Sequence, residues 1–74
     1  MSSYDNLTIT IDNLKTSIDM YNSLIIITDD INLNLIYIDC LLKLEDNLNS
    51  IFIYLRKNKQ KHPKEYLKYF LNEL

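Results

Sequence analysis

INLNLIYIDCLLKLEDNLNSIFIYLRK, from Ile31 to Lys57, is the stretch whose reading decides the fold. Tyr37, Leu41, Leu44, Leu48, Ile51 and Leu55 recur at spacings of four and three, an unbroken apolar stripe along one side of a helix. Ile31, Leu35, Ile38, Leu42 and Phe52 fall on an adjoining side. Ten of the fourteen residues from Ile31 to Leu44 are apolar, and they point nearly all round. A helix of that kind belongs in the middle of a bundle, because a single neighbouring helix covers only one side of it.

Working toward the N-terminus, Leu7, Ile11, Leu14, Ile18, Tyr21 and Ile25 form a second stripe of the coiled-coil type. They predict a helix over about 4–27, capped by Ser2 or Ser3 and with Asp5 placed well in its first turn. Continued past Ile25, this stripe runs out of phase with the one that starts at Tyr37, so the two helices are not one rod. Thr28-Asp29-Asp30 is the natural break, since Thr and Asp side chains accept from the free N–H groups of a helix start. Asn22-Ser23 offers an alternative break. In either case a short connection makes the second helix, about 30–57, run antiparallel to the first.

A β reading competes. Leu7 to Ile11 and Ile31 to Leu35 alternate apolar with polar, as a half-buried strand would. Alternation lasts only five residues in each case, whereas the four-three spacing persists for about twenty. The chain also has no Gly for a two-residue hairpin turn. Helix wins on length of pattern.

Toward the C-terminus, Lys57-Asn58-Lys59-Gln60-Lys61 is polar without period and marks the exit from the second helix, its cations suiting the negative helix end. His62-Pro63-Lys64-Glu65 reads as a helix start, with Pro where its missing N–H costs nothing. Leu67, Phe70, Leu71 and Leu74 give a short third helix, about 63–73, one apolar face. The expected architecture is all-α: an antiparallel helical hairpin and a short C-terminal helix in one small domain spanning 1–74, its bundle completed by oligomerisation.

Composition bounds the function. A chain of 74 residues buries only about 60% of the surface it exposes when unfolded, and its core is marginal without a supplement. One Cys and one His rule out an internal disulfide and a zinc cluster, which leaves a partner chain. The lack of Gly and Ala beside abundant Ile, Asn, Lys and Tyr suggests an AT-rich genome, such as that of a virus or phage. The N-terminus is polar and acidic, unlike a secretory signal. Asp29, Asp30, Asp39 and Lys43 break any run approaching the roughly 20 apolar residues a membrane span needs. Asn6-Leu7-Thr8 matches a glycosylation acceptor by coincidence, and the lone thiol suits a reducing, cytoplasmic setting.

Little in the chain suggests catalysis or cofactor binding. Asp30-x-Asn32-x-Asn34 resembles the opening of a calcium loop, but Leu35 and Leu41 stand where the motif needs Gly and Glu. Cys40 adjoins the apolar stripe and reads as a buried structural thiol; His62 reads as a surface or capping residue. Glu45 and Asp46 are helical neighbours that diverge, and no Gly-rich phosphate cradle exists. No cofactor, metal or enzymatic role is expected.

Charge is unevenly placed. Residues 1–50 carry eight acidic groups against Lys15 and Lys43, whereas Arg56, Lys57, Lys59, Lys61, Lys64 and Lys68 cluster near the other end among Tyr54, Tyr66, Tyr69 and Phe70. Those six cations are the candidate nucleic-acid contact, several phosphate neutralisers with stacking rings nearby. The stronger expectation is a protein interface built from Ile31, Leu35, Tyr37, Ile38, Leu41, Leu44, Leu48, Ile51, Phe52 and Leu55. It describes a self-associating helical module, dimeric for choice. A concrete version is a small viral or phage accessory protein that inhibits or redirects a host complex; another is a subunit of a larger hetero-complex.

Overall fold

The computed structural model describes residues 3–71, with side chains from Leu7 onward. Three helices follow in order: α1 (Ser3–Ile27), α2 (Ile31–Lys57) and α3 (Pro63–Phe70). The first two pack against each other as an antiparallel hairpin, and α3 touches both. The expected caps Ser2 and Ser3, the first-turn Asp5 and the apolar Leu74 lie outside the described side chains. No strand occurs among the described residues.

Local chemistry explains the connection. The backbone leaves helix only at Thr28-Asp29-Asp30. Asp30 is the α2 N-cap, its Oδ1 accepting from the backbone N–H of Asn32 at 2.9 Å and of Leu33 at 3.3 Å. The Thr28 carbonyl accepts from Asn34 Nδ2 at 2.8 Å, which ties the end of α1 to the first turn of α2. A two-residue turn with positive φ is not needed, so the chain manages without Gly. Asn22-Ser23, the other candidate break, runs through α1 as helix.

At its far end α2 closes on Asn58. The Asn58 N–H reaches the Leu55 and Tyr54 carbonyls, and its side-chain Nδ2 donates to the Tyr54 carbonyl at 2.9 Å. Pro63 then opens α3.

The core sits at the open end of the hairpin. Ile11, Leu55 and Phe70 are buried there, one from each helix, with Leu7, Leu48, Ile51, Phe52, Tyr66 and Tyr69 packed around them. Phe70 meets Phe52 edge to face at 5.2 Å and lies 5.2 Å from Tyr66. The half of the hairpin nearest the connection has no third layer, and no residue from Asp12 to Tyr54 is fully buried. Tyr21 and Tyr37 bridge the two helices there, rings 5.9 Å apart.

Candidate interaction face

The two stripes of α2 have different fates. Tyr37, Leu41, Leu44, Leu48 and Ile51 are half-buried and Leu55 fully so; this side faces α1. On the adjoining side Ile31, Leu35, Ile38 and Leu42 stay exposed at 69%, 59%, 39% and 57%. Phe52, further along the same side, is half-buried because Tyr69 and Phe70 lie on it, ring centroids 5.8 and 5.2 Å away. Of the ten residues expected at an interface, seven thus serve the chain's own fold and three, Ile31, Leu35 and Ile38, are open; Leu42, outside that set, completes the open row, and α3 covers its end.

A matching row on α1 shows which face this is. The ammonium of Lys15 lies 5.3 Å from the centroid of the Tyr69 ring on α3. Lys15, Asp19, Asn22 and Ile26 follow at spacings of four, three and four, so all four share one side of α1. Likewise Phe52, Asn49, Glu45, Leu42, Ile38, Leu35 and Ile31 share one side of α2. One face of the hairpin therefore carries α3 at its open end, a polar middle of Asp19, Asn22, Glu45 and Asn49, and an uncovered apolar end. Ile26, 82% exposed, belongs to that end. Reading each helix by its own period could not place Ile26, because its row on α1 is otherwise polar.

Cys40 is half-buried, less enclosed than a core thiol, and it neighbours Tyr21. The Cys40 thiol, with partial burial and Tyr37 adding to it, pushes the Tyr21 hydroxyl above its ordinary value. Among the described residues no cluster of three His, Cys, Asp or Glu side chains could hold a metal ion. No described helix is long and apolar enough to cross a membrane.

The basic segment is partly engaged with its own chain. The Arg56 guanidinium stacks 4.6 Å from the centre of Phe70, and Lys59 lies 5.7 Å from Tyr66. Lys68 reaches Asp12 Oδ2 at 3.4 Å and the Tyr69 ring at 5.3 Å. Asp12 also accepts from the Tyr69 hydroxyl at 2.9 Å. That bond holds the Asp12 carboxyl below its ordinary value; desolvation opposes it, and the charge and hydrogen bond of Lys68 add to the lowering. Lys57 and Lys61 are exposed and, with Arg56, Asn58, Lys59 and Gln60, line a shallow cleft in the α2–α3 turn; Lys64 is exposed in the first turn of α3.

His62 takes the N-cap position of α3, half-buried and without a side-chain cap bond. Its ring bridges two helices instead, with Nδ1 3.3 Å from Glu65 Oε1 and Nε2 3.0 Å from the Tyr54 hydroxyl. In the neutral ring Nδ1–H donates to the carboxylate and Nε2 accepts from the phenol. Glu65 is fully buried, and its Oε2 has no hydrogen-bond partner among the described residues. The chain Tyr54–His62–Glu65 fastens the start of α3 to the end of α2. Comparison with protein-family models, with curated proteins and with solved structures finds no match for this chain.

Proposed function

We propose that this protein is a non-enzymatic protein-binding module that docks through the uncovered apolar end of its hairpin face. The observation that carries this reading is the exposure of Ile31, Leu35, Ile38 and Leu42 in one four-three-four row. Such a row is how one helix presents itself to another, and contiguous exposed apolar surface marks interaction sites. Its setting resembles an interface core with a polar rim, the rim being Asp19, Asn22, Glu45 and Asn49. The lone thiol suits a reducing compartment. A role in inhibiting or redirecting a larger complex fits a small chain with an exposed apolar row of this kind.

The test compares the parent chain with a Leu35→Glu/Leu42→Glu variant. Both positions are more than half exposed, so the fold tolerates charge there. Mass in solution and capture of proteins from cell extract should both register the change: the parent associates and the variant does not. Identical behaviour of the two proteins in both assays would refute the reading.

A further inference from the structure

Resting on that docking face, we infer that its occupant is a second copy of this chain, laid across it antiparallel about a two-fold axis between Leu35 and Ile38. A two-fold interface buries the same patch on both copies, so that patch must complement itself. The exposed row does: Ile31, Leu35, Ile38 and Leu42 are spaced four, three, four, and reversal pairs Ile31 with Leu42 and Leu35 with Ile38. Each pairing sets an Ile against a Leu, so the two layers have matched volumes and interdigitate as knobs into holes.

The amount of surface is right for two copies. Ile26, Ile31, Leu35, Ile38 and Leu42 together expose on the order of 600 Å² of side chain. Doubled across the axis, with rim residues added, this reaches the standard range of about 1,200–2,000 Å² for a specific interface. For a lone chain it would be at the upper end of what monomers leave exposed, roughly 300–600 Å².

The same register fixes where the overlap ends. Beyond Leu42 the row turns polar at Glu45 and Asn49 before Phe52 passes beneath α3. The tip of the second hairpin therefore stops short of α3, and both third helices stay seated.

Two measurements test this. Sedimentation equilibrium of the parent chain should give the dimer mass at micromolar concentration. Leu35→Glu, which buries an unpaired charge beside the axis in both copies, should raise the dissociation constant roughly 100-fold or more. Its circular dichroism should stay helical, because Leu35 is open in the single chain. For orientation, Leu35→Cys and Ile38→Cys are each made with Cys40→Ser, labelled to differ in mass, mixed and oxidised. The antiparallel register predicts an excess of the mixed 35–38 disulfide, whereas a parallel pairing gives 35–35 and 38–38 products. A parent that stays monomeric, a dimer indifferent to Leu35→Glu, or a majority of like-with-like disulfides would overturn the inference. If a monomeric parent still captured another protein in a Leu35→Glu/Leu42→Glu-sensitive way, the docking face would stand and only its occupant would change. If it captured none, both would fall.

Discussion

Truncating Phe70 should cost the protein more than truncating any apolar residue near the hairpin connection, and the structure says by how much. Phe70 is buried, meets Phe52 and Tyr66 ring to ring, and carries the Arg56 guanidinium on its face. Phe→Ala at a packed site costs about 3–5 kcal/mol, and the cation–π contact adds up to about 1 kcal/mol at a partly open site. Total stability for 74 residues, at 0.05–0.15 kcal/mol per residue, is about 4–11 kcal/mol. Phe70→Ala thus removes about a quarter of it or more, and α3 loses its hold on both other helices. Ile31→Ala is the control: its side chain is largely exposed, so under dilute conditions the loss is about 0.5 kcal/mol or less. Urea titration followed by circular dichroism measures both, below the concentration at which chains associate. A Phe70→Ala loss under about 1 kcal/mol, or one no larger than that of Ile31→Ala, would refute a core confined to the open end.

Asp30→Ala removes the acceptor for two N–H groups of α2 and should destabilise the hairpin by about 1 kcal/mol, read in the same urea titration. Docking of α3 should weaken in acid. Asp12 is held below its ordinary value of 3.8, so its contribution is complete above that pH and is lost as the pH falls through the lower folded-state value. Asp12→Asn should flatten that dependence in an acid titration followed by circular dichroism, and an unchanged curve would count against the contact. Neutralising Lys57, Lys59, Lys61 and Lys64 to Gln should leave self-association unchanged in sedimentation. If the parent is retained on a nucleic-acid column at low salt and the variant is not, the basic turn has a use of its own.

The hairpin was legible because Leu7–Ile25 and Tyr37–Leu55 each hold a four-three rhythm long enough to defeat the short alternations. The break was legible because Asp30 is the right residue for a cap. Periodicity does not show which of α2's two apolar sides faces α1, since both carry large residues. Burial settles it: Tyr37, Leu41, Leu44, Leu48, Ile51 and Leu55 are covered, whereas Ile31, Leu35, Ile38 and Leu42 stay exposed. Glu65 and His62 are three apart and could have been paired on spacing alone, but a buried carboxylate beside a run of lysines reads as a solvated one. Asp12 and Tyr69 are 57 positions apart, and nothing local in either predicts their meeting. Ile26 was hidden among polar neighbours on its own helix and joins the face only once α2 is laid beside α1.

The location of the sealed core has a consequence for how the molecule breathes. Amide protons near Ile11 and Leu55 can exchange with solvent only when all three helices separate, whereas those flanking Thr28 need only the hairpin tip to part. The proposed docking surface therefore lies on the segment that opens at least cost. Whatever binds there slows deuterium uptake most where it is otherwise fastest, and leaves the rates around Phe70 almost untouched.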